Sequence, residues 1–243
     1  DLVIKGLEVG MDAVRNLSDD LTGKAIVLFF HEKIPKTSTR RLVNSADVQT
    51  LLRIAETDTD TTEGIARMEF NWSGLPGHAV QLNLEGAYNA VDGTLIQTDD
   101  AGGGPVVVDV PGANSKVDEV RWDILLKDNW SLGQFEFDYG LGFEYSTISQ
   151  TGDSELKRSF NFLKPMGIVT YSAGQEQRIR LRLEREVAQL NFNDFISATV
   201  FDDDDVVLGN PDLHPDATWI SELSYERRFG RTGVVKLTAF HHW

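Results

Sequence analysis

The chain has 243 residues, a formal net charge of −15 and no cysteine. Such a charge repels polyanions, which argues against a nucleic-acid partner, and the lack of cysteine excludes disulfides and thiolate metal sites. Apolar residues make up 41%, enough for a folded chain rather than global disorder, but no run approaches the ~20 apolar residues of a membrane-spanning helix.

Ten strands are predicted, near residues 2–14, 24–34, 48–73, 78–98, 116–130, 134–150, 155–173, 176–190, 217–229 and 233–243. Residues 1–24 mix two periodicities, and "AIVLFF" (25–30) is strand-sized without alternating. From there the period is two. "ARMEFNW" (66–72) sets Ala66, Met68, Phe70 and Trp72 against Arg67, Glu69 and Asn71. "VQLNLEGAY" (80–88) and "VRWDILLK" (120–127) follow the same rule, the second with a slip. "FEFDYGLGFEYS" (135–146) puts Phe135, Phe137, Tyr139, Leu141, Phe143 and Tyr145 on one face and Glu136, Asp138 and Glu144 on the other. In "QRIRLRLEREV" (177–187), Ile179, Leu181 and Leu183 alternate with Arg178, Arg180, Arg182 and Glu184. A helix would scatter these arginines around its circumference, whereas a strand collects them on one face. Long alternating strands without helical stretches predict an all-β, antiparallel up-and-down meander.

The connections differ by end. Short ones are expected at 73–78, 128–134, 171–177 and 229–233, and longer ones near 34–48, 99–115, 150–155 and 190–216. They alternate along the chain, so one end of the meander carries tight turns and the other carries loops. Trp72, Trp130, Tyr171 and Phe229 each stand at or just before a short turn. Rings at one level suit a membrane interface, where amphipathic aromatics settle at headgroup depth. Apolar-out, polar-in alternation, one-sided loops and an aromatic girdle together form the signature of a transmembrane β-barrel. The competing reading is a soluble β-sandwich binding module, whose strands also alternate but are usually shorter. The charged inner face requires water, partners or a polar plug. Ten strands do not close around a wide lumen, so residues 1–243 read as one partial barrel segment with no plug domain. The start at Asp1 rather than Met fits a processed chain or a fragment.

The segment "LGNPDLHPDATWISELSYERRFGRTGVVKLTAF" (208–240) resembles TonB-dependent outer-membrane receptors. The late barrel of that family carries an Asn-Pro-x-Leu-x-Pro-Glu loop, matched here by Asn210, Pro211, Asp212, Leu213 and Pro215, with Asp216 where Glu is usual. "PGANSKVDEVR" (111–121), "SFNFLKP" (159–165) and "RLRLEREVAQLNFNDF" (180–195) are similar to its proteobacterial branch, so the resemblance spans roughly residues 64–243. It implies a 22-stranded barrel in the outer membrane of a Gram-negative bacterium. That barrel would be filled by an N-terminal plug and energised by the TonB complex. It would import a scarce nutrient of the siderophore, cobalamin or oligosaccharide class, with membrane lipid and lipopolysaccharide as surroundings. An adhesin or structural barrel is the alternative within the membrane.

Other features yield candidates or exclusions. Phe192, Phe195 and the run Asp202, Asp203, Asp204 and Asp205 lie in the longest loop and are candidate ligand contacts by position. The acidic run lacks the EF-hand spacing of a calcium site and reads as a solvated loop. His241 and His242 are adjacent, so a strand points them to opposite faces and away from a shared metal. "GGGP" (102–105) follows no strand-to-helix pattern, so it is a loop rather than a phosphate cradle. Asn129-Trp130-Ser131 matches a glycosylation sequon in a predicted turn. No catalytic motif, metal site or cofactor is predicted. Arg185 breaks the alternation on the apolar side, about 20 Å up a tilted strand. That is near the rim of an apolar band about 25 Å tall, where it is expected to snorkel toward lipopolysaccharide phosphates.

Overall fold

The computed structural model describes residues 4–195, 198–200, 205–207, 210, 212–230 and 232–243. Its strands are β1 (Lys5–Asn16), β2 (Leu21–Val43), β3 (Gln49–Trp72), β4 (His78–Asp100), β5 (Val106–Val108), β6 (Asn114–Leu132), β7 (Phe135–Gly152), β8 (Leu156–Ala173), β9 (Gln177–Val187), β10 (Ala198–Val200), β11 (Asp205–Val207), β12 (Ala217–Phe229) and β13 (Gly233–His242). The long strands form one antiparallel meander in the order β1-β2-β3-β4-β6-β7-β8-β9-β12-β13. The short β5 pairs with the upper end of β4, and β10 and β11 form a separate hairpin. The sheet does not close, because β1 and β13 each have a single neighbour.

The ten predicted strands correspond to the ten long ones, with corrections at their ends. β2 runs to Val43 rather than 34, which reduces the expected 34–48 loop to residues 44–48. The hairpin β2–β3 rises beyond the point where one face is apolar, and with both faces polar the alternation that marks a strand disappears. The 150–155 connection is only residues 153–155, and the turn expected at 128–134 is only Gly133 and Gln134. Gly133 has φ 62°, a left-handed conformation that residues with a side chain rarely adopt. Asn129 therefore sits inside β6, not in a turn. β9 ends at Val187, three residues earlier than expected.

Paired residues in an antiparallel ladder share a face, so the register assigns every side chain to a side. One face is apolar throughout the middle of the wall, with Trp122 at 59% and Leu126 at 54% exposure. Nothing among the described residues packs over it, so this is a single-layer wall rather than half of a sandwich. "AIVLFF" is apolar on both sides. Ala25, Val27 and Phe29 join the apolar face, while Ile26, Leu28 and Phe30 point to the polar one.

The buried clusters lie on the polar face near the loop end. Ala55, Leu95 and Val110 pack where residues 101–113 fold back over β3 and β4. Val117 and Ile148 pack under Leu190, Phe192 and Leu213 of the β9–β12 connection, with Phe160 of β8 beside them. The described residues around Leu190, Phe192 and Leu213 of this connection thus fold back onto the wall.

Candidate functional site: the polar face and its rims

The register brings Glu136, Asp138, Glu144, Arg178, Arg180, Arg182 and Glu184 to one face, as their alternation predicts. Their partners are mostly on that face too. Asn129 donates to Glu136 and to Asp138, each at 3.0 Å, and Lys127 stands 3.7 Å from Asp138. Arg182 contacts Glu184 and reaches Glu186 at 3.3 Å, and Arg180 lies 3.8 Å from Glu222 on β12.

A denser belt crosses β3 to β8 at mid-height. Arg67 Nε donates to Glu85 Oε2 at 2.7 Å, and Arg121 Nη2 donates to Glu85 Oε1 at 3.0 Å. Lys164 contacts Asp123 and donates to Glu144 at 3.0 Å. Just above, Glu119 accepts from Asn89 at 3.1 Å and from Ser146. Each of the three cations in the belt is paired with a carboxylate, and Arg67 also stands 3.8 Å from Glu69. Arg121 and Glu119 are buried, and burial of such groups is tolerable only with partners of this kind. Alternation alone puts Arg67 and Glu85 on the polar side of their strands but does not join them. Their contact depends on the register between strands, which a single strand's alternation does not carry.

The β9–β12 connection is tethered to this face. Gln189, with its amide oxygen turned toward the belt, accepts from Arg121. Arg158 of β8 contacts the Asp212 carboxylate, and Phe160 meets the His214 ring edge-on at 5.7 Å. Asp212 N–H donates to Asn210 Oδ1 at 2.9 Å, a local turn that presents Leu213 to the Val117 cluster. Asn210, Asp212 and Leu213 thus form an anchor, and Pro215 follows it half-buried. Pro211 and Asp202, Asp203 and Asp204 lie outside the described residues. Phe192 opens a short 3-10 turn and is half-buried on the wall. Phe195 ends that turn, and Asp205 pairs with Val200 in the β10–β11 hairpin.

On the apolar face, Trp72, Trp130, Tyr171 and Phe229 all stand at the short-turn end. His78 stacks on Trp130 at 5.4 Å, Trp130 on Phe137 at 5.2 Å, and Phe135 meets Tyr171 at 4.9 Å. The row is therefore continuous from β4 to β8 and includes His78, Phe135 and Phe137. Arg227 lies 5.1 Å from the Phe229 ring. Asp128 is also on this face, held by His78 and Tyr139 at 2.7 Å each. A second aromatic level marks the opposite rim, where Tyr145 bonds Ser159 and Trp219 stacks on Trp243 at 6.5 Å. Arg185 faces the apolar side beside Trp219 and donates to the Leu163 carbonyl at 3.0 Å. Leu163 lies beyond the last β8–β9 pair, Met166 with Glu184, although β9 itself runs on to Val187 against β12. His241 and His242 fall on opposite faces, and no cluster of metal-binding side chains occurs among the described residues.

No family model matches the chain, and no curated protein matches it. Solved structures do. The copper transporter OprC superposes with a TM-score of 0.72 at 11% identity, over 98% of this chain and 38% of that one. The ferric yersiniabactin uptake receptor FyuA from Yersinia pestis gives 0.70 at 10% identity, over 99% and 36%. The ferric citrate transporter FecA, unliganded, gives 0.64 at 10% identity, over 98% and 34%. The chain thus spans a little over a third of the length of these proteins. At such identities the likeness is one of fold, and the fold is that of the barrel wall of TonB-dependent outer-membrane receptors.

Proposed function

We propose that this chain is the barrel-wall part of a TonB-dependent receptor that imports a scarce nutrient across the outer membrane of a Gram-negative bacterium. The observation that carries this reading is a single-layer meander whose large apolar side chains stay exposed on one face, bordered by aromatic rows at both ends. Such a face needs a hydrocarbon surround. In this reading the apolar face meets lipid, with Trp72, Trp130, Tyr171 and Phe229 at headgroup depth on the periplasmic side. The face carrying Arg178, Arg180, Arg182, Glu184, Glu136, Asp138 and Glu144 lines the lumen, where the charged belt meets the plug of the full-length protein. The loop end is extracellular, and ligand approaches past Phe192, Phe195 and the acidic run at 202–205.

Siderophores, cobalamin and oligosaccharides are the nutrient classes in question. Metal chelates come first, because the structural neighbours are named for copper, ferric yersiniabactin and ferric citrate. The test uses the full-length protein in its own host. It is expected in the outer-membrane fraction, and uptake of a labelled ferric chelate is expected to require both the protein and the proton gradient. Recovery from the soluble fraction overturns the reading. Membrane location without energised uptake of any of the three classes points to an adhesin or structural barrel instead.

A further inference from the structure

The negative charge of the chain gathers at one end of the wall. The connections at the loop end, residues 44–48, 101–113, 153–155 and 188–216, hold eleven aspartate and glutamate residues and no lysine or arginine. The turns at the other end, residues 17–20, 73–77, 133–134, 174–176 and 230–232, hold three such acids and one arginine. The belt at mid-height pairs its own cations, Arg67, Arg121 and Lys164, and so offers no free one to offset the excess above it.

A second observation lies on the polar face just above the belt. One rung aligns Glu63, Asn89, Glu119, Ile148 and Arg158, and the next holds Glu32 beside Thr61. Glu119 is 9% exposed, and its carboxylate accepts from the Asn89 amide and the Ser146 hydroxyl. Those bonds make its burial tolerable but bring no positive charge to it. Glu32, Glu63 and Glu119 have no ion pair among the described residues. The nearby cations on this face are engaged by other groups: Arg121 by Glu85 and Gln189, and Arg158 by Asp212. Lys36 stands three rungs above Glu63, about 20 Å along the strands.

We infer that the polar face and its rim select a cargo of positive charge, a small metal chelate whose net charge is at least +1. This rests on the import reading above. Carboxylates massed at the loop end draw cations from solution, and low-dielectric walls focus that field into the mouth. The Glu63–Asn89–Glu119 rung then presents unbalanced charge where the belt begins, and a partly buried charge is screened less than an exposed one. No cluster of metal-binding side chains occurs among the described residues, so the attraction acts on the charge of the whole chelate rather than by coordination of a bare ion. An anionic carboxylate chelate meets repulsion along the same path.

The test uses full-length protein in a nonionic detergent, dialysed to equilibrium against three probes. These are a ferric trihydroxamate chelate ending in a primary amine, its N-acetylated form and its N-succinylated form, which are cationic, neutral and anionic. At about 0.01 M salt, saturable binding of the amine form is expected to exceed that of the anionic form about tenfold. At about 1 M salt the screening length falls to about 3 Å, and the preference is expected to vanish. Glu63→Gln with Glu119→Gln is expected to remove most of it, and Glu63→Gln alone part of it. Glu176→Gln is the control, since it removes one charge from an exposed turn at the far end. Three results overturn the inference: a neutral or anionic form bound as well as the amine form, a preference that survives about 1 M salt, or a double variant that binds like Glu176→Gln. Uptake by the host separates this from the import reading. Energised uptake that favours the anionic form overturns the charge inference and keeps import, whereas the binding preference without energised uptake of any form fails import alone.

Discussion

Glu85 accepts from two guanidinium groups that differ in their surroundings. The Arg121 side chain is 9% exposed and that of Arg67 is 42% exposed. Losing the Glu85 charge leaves Arg121 buried with only the neutral amide of Gln189, whereas losing Arg67 leaves Glu85 still paired. A buried charge stripped of its partner is costly, and an exposed ion pair is worth little. Glu85→Gln in the full-length protein is therefore expected to cost about 3 kcal/mol of unfolding free energy, and Arg67→Gln less than about 1 kcal/mol. Urea unfolding in lipid vesicles, followed by tryptophan fluorescence, measures both. Equal losses would mean that the belt is not organised around Glu85. Nothing in "VQLNLEGAY" marks Glu85 as more than one polar position among several. Its weight comes from two neighbouring strands, and only the register reveals it.

At the scale of elements, the legible part of each strand is the part with one apolar face. Alternation alone gives β6, β7, β8 and β12 to within a few residues of their ends. The upper half of β2 was not, because Lys36 to Arg41 are polar on both sides and offer no contrast. The aromatic row was legible at its four tryptophan, tyrosine and phenylalanine positions, since each precedes a turn. Its continuity through His78, Phe135 and Phe137 was not, because ring stacking runs across strands. Above the apolar band the wall is held by polar pairs instead, and there acid should act. Arg53 donates to both oxygens of Asp99, at 2.7 and 2.8 Å, and these bonds hold the Asp99 carboxyl below its ordinary range. A carboxyl depressed by folding adds stability that is present above its unfolded pKa and is lost as pH falls through its folded one. The upper β3–β4 hairpin is therefore expected to exchange its backbone hydrogens faster on acidification below about pH 4. Asp99→Asn should remove that response and leave exchange in the apolar band unchanged. A wild-type hairpin whose protection does not respond to acid would show that the pair contributes nothing to its stability.

The whole molecule is one curtain of strands with two kinds of unsatisfied surface. The apolar face exposes residues such as Trp122, Leu126 and Leu163 to whatever surrounds the chain. β1 and β13 add unpaired edges, and every residue of β1 and β13 is exposed. A soluble protein hides at least one of these surfaces, because contiguous apolar patches and open edges both recruit other copies. The 243-residue chain expressed alone is therefore expected to aggregate in plain buffer and to become dispersed in detergent. The two surfaces separate experimentally. Detergent micelles cover an apolar face but do not pair backbone N–H and C=O groups, so edge-to-edge association should persist in detergent. Charge placed on an edge strand blocks such pairing, so replacing Gly10 and Val14 of β1, both of which lie on the polar face, with lysine should reduce association in detergent but not rescue solubility in buffer. Light scattering after size exclusion reads both arms. A monodisperse monomer of the unaltered chain in plain buffer would contradict the membrane assignment, since the apolar face would then be tolerated by water.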